Sequence, residues 1–248
     1  GIADVGYDPA FPDDHSFFIR KYDPTGAFLT EMTTPLTGWG YVMDVVSDSQ
    51  GNLYITGSYN GSLLSLPNAI STMFFLMKFD SSGQYVWGDA EPSGTSGQGQ
   101  SIHVSGSGEV TLATKGLVLA DGSGPFGAPS SVIVRKYDAS GARLWSTIVS
   151  SEDHDEPQGV TVTDTGEIVV VGDTEGNLVP GAFGGNRDYF IIKLNSAGVV
   201  TSIQQEGGSG FEFLNVVKFV PPYIVYFGYG DLFHLQPVPL SNYWVYLE

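Results

Sequence analysis

The sequence predicts an all-β fold built from repeated four-stranded sheets, and three observations support this prediction. The segment Lys21–Gly26 returns as Lys78–Gly83, Lys136–Gly141 and Lys193–Gly198, at spacings of 57 or 58 residues. A second strand–turn–strand motif lies between these copies. No segment of the 248 residues combines the length and the capping signals of a strong helix. A fixed period of this length is typical of chains that repeat one supersecondary unit.

Each copy of the first motif predicts a β-hairpin. An apolar run such as Phe17–Ile19 leads into Lys-aromatic-Asp, and Asx-x-x-Gly then reverses the chain. The Asx side chain accepts from the backbone amide two residues on, and Gly adopts a positive φ. The second motif, as in Val46–Gly57 and Val162–Gly172, predicts a further hairpin. Each period therefore holds four short strands, which we name A, B, C and D in chain order.

Four-stranded units at this period predict a single β-propeller domain over residues 1–248. The predicted repeats cover approximately residues 1–33, 41–88, 101–149, 159–203 and 211–248. The preferred arrangement has five blades, of which the first lacks strand A and the last lacks strand D. A ring of four blades with one composite blade is the alternative. A third arrangement is an excerpt of a longer array, whose edge strands would need a partner.

Composition limits the classes of partner. The chain has 27 acidic and 10 basic residues, a net charge of -17 and a pI near 4.3, so it repels nucleic acid and anionic membrane surfaces. No apolar run approaches the roughly 20 residues that a membrane-spanning helix needs, so we expect no direct membrane insertion. The absence of Cys excludes disulfides, thiol nucleophiles and Cys-ligated metals.

The alternation of the two motifs resembles a known family. Aromatic-apolar-apolar-Lys-apolar-Asp-x-x-Gly and apolar-Asp-x-x-Gly-Asn-apolar-Tyr-apolar-Thr-Gly are similar to the repeats of the bacterial SBBP β-propeller family, with an NHL-like strand plan. The likeness is best in residues 17–88 and 131–203, and it departs from the pattern at Gly106–Glu109 and Pro221–Pro222. The resemblance implies an extracellular or cell-surface location and a binding or scaffolding role.

The strand plan also predicts which end of the sheets carries function. Strands alternate in direction, so the tight A-to-B and C-to-D turns lie at one end and the long B-to-C and D-to-A connections lie at the other. Variable loops on a rigid scaffold are where binding residues concentrate. Aromatic side chains mixed with carboxylates and amides suit a glycan or a protein partner. The predicted ligand-binding residues are Tyr59, Asn60, Asp121, Phe126, Asp173, Glu175, Arg187, Asp188, Tyr229, Asp231 and His234.

Signals for catalysis and metal binding are weak. The four His share no metal-ligand spacing, no nucleophile elbow or phosphate loop occurs, and no catalytic residue is predicted. The acidic run Glu152–Glu156 offers Asp153, Asp155 and Glu156 as weak Ca²⁺ candidates, although the ligand order of an EF-hand is missing. We therefore predict no cofactor, with Ca²⁺ as the weak alternative.

Three functions follow from these observations. The preferred hypothesis is a non-enzymatic extracellular module that binds a protein or a glycan, or spaces domains of a surface protein. The alternative is a propeller hydrolase or lyase that acts on a polysaccharide through paired acids among Asp173, Glu175, Asp188 and Asp231. The third is a purely structural module that associates with itself through its terminal strands, residues 1–16 and 241–248.

Overall fold

Strands, turns and loops make up residues 2–6, 14–90, 97–117, 129–230 and 243–247, which the computed structural model describes. Within these ranges no helix occurs, so they contain no helix that is long and apolar enough to cross a membrane. The 17 strands found among the described residues form four sheets, which confirms the all-β prediction. The described residues form two compact units, with the boundary after Gly99.

The first unit holds a six-stranded sheet in the order β1-β2-β3-β4-β5-β6. Its strands are β1 (Ile2–Gly6), β2 (Asp14–Tyr22), β3 (Phe28–Ser47), β4 (Leu53–Leu63), β5 (Ala69–Phe79) and β6 (Tyr85–Ala90). Its core is formed by aromatic and aliphatic side chains that include Phe17, Leu36, Ile55, Phe75 and Met77.

Strand β3 differs from the prediction. The sequence pattern assigned residues 28–33 and 41–47 to separate repeats, but β3 runs through both as one strand of 20 residues. Its first part pairs with β2 and its second part pairs with β4. Gly38 and Gly61 are register partners at the junction, and both have positive φ. A Cβ on either would clash with the opposite backbone, so two glycines let the ladder continue where a loop was expected.

The second unit holds three sheets. The first has the order β10-β9-β8-β7, the second β11-β12-β13-β14 and the third β15-β16-β17. The strands are β7 (Gly97–Val104, which begins before the boundary), β8 (Val110–Gly116), β9 (Ser131–Tyr137), β10 (Arg143–Val149), β11 (Asp155–Val162), β12 (Ile168–Thr174), β13 (Asp188–Leu194), β14 (Val200–Glu206), β15 (Phe213–Val220), β16 (Tyr223–Tyr229) and β17 (Tyr243–Leu247).

These three sheets pack face to face. Val132 and Val134 of the first sheet share a core with Val170 and Ile192 of the second. The other face of the second sheet packs its apolar side chains against the third sheet, through Val169, Val171, Ile191, Leu214, Val217, Ile224 and Tyr226. Strands β12 and β13 are buried on both faces, which explains their nearly continuous apolar sequence.

The predicted Asx-x-x-Gly turns are confirmed at Asp23, Asp48, Asp80, Asp138 and Asn195, and Ser105 and Thr163 take the Asx position in two further turns. In seven turns of the described ranges, a Gly with positive φ donates its amide to the carbonyl three residues earlier; these glycines are Gly26, Gly51, Gly83, Gly108, Gly141, Gly166 and Gly198. At Asp138, for example, Oδ1 accepts from the amides of Ser140 and Ala142 at 2.8 and 3.0 Å. The departure at Gly106–Glu109 keeps the turn, because the hydroxyl of Ser105 takes the role of the carboxylate.

Three further predictions are corrected. The pattern predicts a long B-to-C connection over residues 58–72, but this connection is short, because β4 extends to Leu63 and β5 begins at Ala69. The pattern also places the acidic run Glu152–Glu156 in a D-to-A loop, but Asp155 and Glu156 begin β11. Residues 243–246 are predicted to begin an antiparallel C strand, but β17 runs parallel to β16. Sequence pattern identifies a strand here, but it carries no information on its direction.

Candidate functional site

Five predicted binding residues lie in the second unit, at the end of its sheets that carries the B-to-C and D-to-A connections. We call this end the loop end. Asp155, Thr174 and Asp188 are register partners across β11, β12 and β13. The D-to-A and B-to-C connections of this sheet therefore leave from one end, as predicted. Close to this end lie Asp173, Glu175, Arg187, Asp188 and Tyr229. The predicted residues Asp121, Phe126, Asp231 and His234 lie outside the described ranges.

Tyr59 and Asn60 belong to the first unit. Tyr59 is fully buried in the core, and its hydroxyl donates to the carbonyl of Pro67 at 2.6 Å. Burial raises the pKa of Tyr59 to about 12. Asn60 is half-buried in β4 opposite Trp39. The prediction that Tyr59 faces a ligand is corrected, because β4 continues through this position and turns the ring inward.

Arg187 is the centre of an ion cluster at the loop end. Its guanidinium donates to the carboxylate of Asp173 at 2.6 Å, and its other terminal nitrogen pairs with Glu175. Glu156 lies 3.7 Å from the same guanidinium. Lys115, at the end of β8, pairs with the other oxygen of Glu156. The cluster thus links four strand ends through two cations and three carboxylates.

Burial and pairing set the protonation of this cluster. Burial raises the pKa of Asp173 to about 6, although the charge of Arg187 and a hydrogen bond from Gln158 act in the opposite direction. Burial also acts to raise the pKa of Glu156, but the hydrogen bond and charge of Lys115, with Arg187, lower it overall. The pKa of Arg187 is raised because the neighbouring carboxylates outweigh its burial. Asp173 therefore takes up a proton at a higher pH than an ordinary aspartate does.

Three aromatic rings stack beside Arg187. Phe213 and Tyr229 are register partners on β15 and β16, with ring centroids 4.9 Å apart and an interplanar angle of 27°. Phe211 stacks on the Phe213 ring at 6.3 Å and 2°. Phe211 and Tyr229 are more than half exposed, whereas Phe213 is half-buried. The outer rings remain open to solvent and can stack with a ligand.

The stack is fixed to the ion cluster through the backbone. The amide of Glu212 donates to the carbonyl of Arg187 at 3.0 Å, and Arg187 and Phe211 form an isolated parallel bridge. The guanidinium carbon of Arg187 lies 5.8 Å from the centroid of the Phe213 ring, within cation–π range. Charged and aromatic groups thus form one surface, which we call the loop-end site: Lys115, Glu156, Asp173, Glu175, Arg187, Phe211, Phe213 and Tyr229.

Asp188 and Glu212 lie below this surface. Asp188 is fully buried, and its Oδ2 accepts from Gln205 at 2.9 Å and from the amide of Gly184 at 3.1 Å. Asp188 therefore holds the 183–187 segment in place and is not exposed to a ligand. Glu212 is 4% exposed; its Oε2 accepts from the amide of Gly208, and its Oε1 has no hydrogen-bond partner.

The weak Ca²⁺ candidates do not converge. Asp155 is fully buried and accepts from Ser151 and from the hydroxyl of Thr174 at 2.5 Å, and burial raises its pKa. Asp153 accepts from the amide of His154 at 2.9 Å. Glu156 belongs to the ion cluster. Among the residues that the structure describes, no group of three or more His, Asp or Glu side chains is placed to hold a metal ion.

Sequence reasoning missed several members of the site. Lys115, Phe211 and Phe213 were not singled out, and Glu156 was considered only as a metal ligand. A signal for the aromatic residues exists in the spacing: Phe211 and Phe213 alternate across a buried Glu212 at the start of β15, and Tyr229 ends β16. Strand alternation places the two Phe on one face. The pairing of Lys115 with Glu156, 41 residues away, has no local signal.

Comparisons with known proteins assign no family. No family model matches the chain, and no curated protein matches it. A protein of unknown function from Bacteroides caccae is similar in structure, with a TM-score of 0.48 and 13% identity over 84% of this chain and 58% of the other. The Pan2 WD40 domain of Neurospora crassa has a TM-score of 0.46 and 16% identity, over 75% of this chain and 43% of the other. An ACO/RPE65 chimera has a TM-score of 0.47 and 10% identity, over 89% of this chain and 49% of the other. The chain thus spans about half the length of these proteins.

Proposed function

We propose that this chain is a non-enzymatic binding module that holds a protein or glycan partner at the loop-end site. The observation that carries the proposal is the aromatic stack Phe211–Phe213–Tyr229, whose exposed outer rings adjoin the Arg187 ion cluster. Aromatic side chains bury a large area at a small entropic cost, and Arg and Tyr are enriched among the residues that dominate binding energies. Exposed rings beside fixed charges are therefore well suited to recognition.

Our proposal extends to the setting of the module. We propose that the four-stranded repeats form a β-propeller, preferably of five blades, and that the chain is an SBBP-type module of a bacterial secreted or cell-surface protein. Support comes from the recurring hairpins and from the face-to-face packing of sheets in the second unit. The acidic composition is compatible with an extracellular partner and disfavours nucleic acid.

A polysaccharide hydrolase or lyase is the second candidate. It is favoured by Asp173, because a carboxyl with a pKa of about 6 is suited to general acid catalysis. Against it, the side chain of Asp173 is only 1% exposed and is held by Arg187. A substrate would have to displace Arg187 before it could reach this carboxyl. Recognition at the exposed rings needs no such rearrangement, so we prefer binding.

A glycan array and a panel of purified surface proteins test the proposal. The wild-type chain should bind at least one member, and Tyr229→Ala and Phe211→Ala should weaken this binding by about tenfold or more, since each removes a stacking ring. Leu144→Ala is the matched control, because Leu144 is equally exposed on β10, in another sheet. Release of reducing or unsaturated sugars from a bound polysaccharide, abolished by Asp173→Asn, would favour the enzyme instead.

A further inference from the structure

Two aromatic side chains are exposed side by side on β3 in the first unit. Trp39 is 38% exposed and Tyr41 is 59% exposed. They lie two residues apart on one strand, so both side chains leave the same face of the sheet. Their ring centroids are 5.8 Å apart and the ring planes are tilted by 56°, so the two rings are not stacked on each other. Scattered single apolar residues are normal on a protein surface, but an adjacent aromatic pair points to a ligand.

Polar side chains of β4 lie on the same face. Asn60 is the register partner of Trp39, and Ser62 is the register partner of Thr37. Directly opposite residues of an antiparallel pair share one face of the sheet. Asn60 is half-buried, and within the described residues its amide makes no side-chain hydrogen bond. An amide group both donates and accepts, so Asn60 offers hydrogen-bonding groups to a ligand beside the Trp39 ring.

Asn68 extends this polar border. Its Oδ1 accepts from the hydroxyl of Ser62 at 2.8 Å, which leaves the amide nitrogen of Asn68 to donate to a ligand. The hydroxyl of Thr37 accepts from the backbone amide of Ser62 at 2.9 Å and can still donate. Rings and polar groups thus form one surface, which we call the strand platform: Thr37, Trp39, Tyr41, Asn60, Ser62 and Asn68.

The adjoining part of this face is already covered within the first unit. Gly99, at the start of β7, lies directly against Thr56 of β4, since a Cβ on Gly99 would clash with the Thr56 hydroxyl. Ser58, the register partner of Tyr41, is 1% exposed, whereas the Tyr41 and Trp39 side chains emerge into solvent. The strand platform therefore begins where the covered part of the face ends.

The segments that form the platform carry no charge. No Asp, Glu, Lys, Arg or His occurs in residues 32–43 or in residues 49–77, although charged residues make up 15% of the chain. The next charged residue along β3 is Asp44, which is half-buried and accepts from the backbone amide of Val45 at 2.8 Å. A charged ligand would find no counter-charge on these two segments. A neutral ligand that carries hydroxyl groups fits them better.

We infer that the strand platform binds a neutral glycan, whose sugar rings pack on Trp39 and Tyr41 and whose hydroxyl groups bond to Asn60 and Asn68. Sugars have apolar C–H faces bordered by hydroxyl groups, so aromatic rings flanked by neutral donors and acceptors match both parts of their surface. The inference goes beyond the proposed function, because this site belongs to the first unit and does not depend on the loop-end site.

Isothermal titration calorimetry of the whole chain with four hexasaccharides tests the inference. Three are neutral, from cellulose, xylan and β-mannan; the fourth, from polymannuronate, repeats the mannan framework with a carboxylate on each sugar. At least one neutral hexamer should bind, and the acidic hexamer should not. Trp39→Ala and Tyr41→Ala should each weaken this binding by about tenfold, because each removes a stacking ring. Asn60→Ala should weaken it by a smaller factor, because it removes hydrogen bonds alone.

The matched control is Phe28→Ala, which should bind like wild type. Phe28 is an aromatic residue of the same strand, is 57% exposed and contacts the Tyr22 ring rather than the platform. Tyr41→Leu replaces any alanine variant that melts early, and circular dichroism checks the fold of each.

The outcomes separate this site from the loop-end site. Binding of no neutral hexamer, or equal binding of the acidic hexamer, overturns the inference. Binding that survives both Trp39→Ala and Tyr41→Ala but is lost in Tyr229→Ala also overturns it, while the proposed function stands. Binding that is lost in Trp39→Ala and kept in Tyr229→Ala supports the inference, whatever the loop-end site binds.

Discussion

The guanidinium of Arg187 lies 2.6 Å from the carboxylate of Asp173, which is 1% exposed, whereas the side chain of Arg187 is 24% exposed. The two partners differ in exposure, because the carboxylate of Asp173 is buried under the guanidinium of Arg187. Arg187 therefore covers a buried charge on one side and presents its own surface to the aromatic stack on the other. Its removal should affect stability and recognition together.

We expect Arg187→Leu to destabilise the chain by about 3 kcal/mol at pH 8, because Asp173 is left buried and charged without its partner. The cost should be smaller at pH 5, where Asp173 takes up a proton. Urea unfolding at the two pH values measures both effects. Arg20→Leu is the matched control, since Arg20 and Glu31 form an exposed pair from which little stability is expected. Equal losses in the two variants would contradict the buried-pair interpretation.

Asp173 should also make stability depend on pH. Its pKa is about 6 in the folded chain and near 3.8 when unfolded, so the folded state holds the proton more tightly. The resulting stabilisation is complete below pH 3.8 and is lost as the pH rises through 6, by at most about 3 kcal/mol. We predict that wild type loses stability relative to Asp173→Asn over this range. Parallel curves for the two proteins would contradict the prediction.

The comparison with Asp173→Asn is needed because His103 changes the stability of the folded chain with pH in the opposite direction. Burial and the charges of Lys136 and Lys218 lower the pKa of His103 from 6.5 to about 4. The stabilisation of the folded state by neutral His103 is complete above pH 6.5 and is lost as the pH falls through 4. The plot of wild-type stability against pH therefore contains two opposing slopes. Asp173→Asn removes one of them, so the difference between the two proteins reports Asp173 alone.

The repeated turn offers a test of backbone strain. Gly166 has a φ of +81°, and a Cβ there would meet its nearest neighbour, Ser196, at an ordinary 3.6 Å. We expect Gly166→Ala to destabilise by roughly 1–2 kcal/mol, because an L-residue rarely adopts this φ. Gly106→Ala is the control from the equivalent turn, with no positive φ and nothing within 4 Å. Thermal unfolding of both variants should separate them clearly, and matching melting temperatures would argue against strain.

Tyr59 tests the corrected assignment in the first unit. We expect Tyr59→Phe to cost about 1–2 kcal/mol, because the carbonyl of Pro67 loses the hydroxyl that donates to it. Ligand binding should not change. Tyr22→Phe is the control, since Tyr22 is 42% exposed. If Tyr59→Phe kept full stability but weakened a ligand, the original prediction of a binding role would be restored.

Local chemistry explains why the turns could be predicted from sequence. An Asx side chain, a Gly three residues later and the intervening amides are all adjacent in the chain, so their hydrogen bonds need no distant partner. Asp138 and Gly141 form the expected turn, and so do Ser105 and Gly108, where the hydroxyl replaces the carboxylate. The strand plan and the loop end of the second unit follow from these turns by alternation of strand direction.

Contacts between distant segments explain most of what sequence could not predict. Residues 28–47 read as two strands because Pro35, Gly38 and Gly40 normally interrupt a strand, and only the matching Gly61 on β4 lets the ladder continue. Tyr59 was predicted to lie in a loop because the continuation of β4 beyond residue 57 was not expected. Within the loop-end site, Arg187 and Tyr229 were found because loops favour such residues, whereas Lys115 depends on Glu156 from another sheet.

Strand β3 has a consequence for the way the first unit opens. Because Phe28–Ser47 carries both the ladder to β2 and the ladder to β4, a slip of one register would drag the other with it. The two hairpins should therefore exchange their amide protons with a common protection, as one cooperative foldon. A protease cut near Gly38 would divide β3 between its two ladders, with residues 28–37 left on β2 and residues 39–47 left on β4, and the two hairpins would then exchange independently.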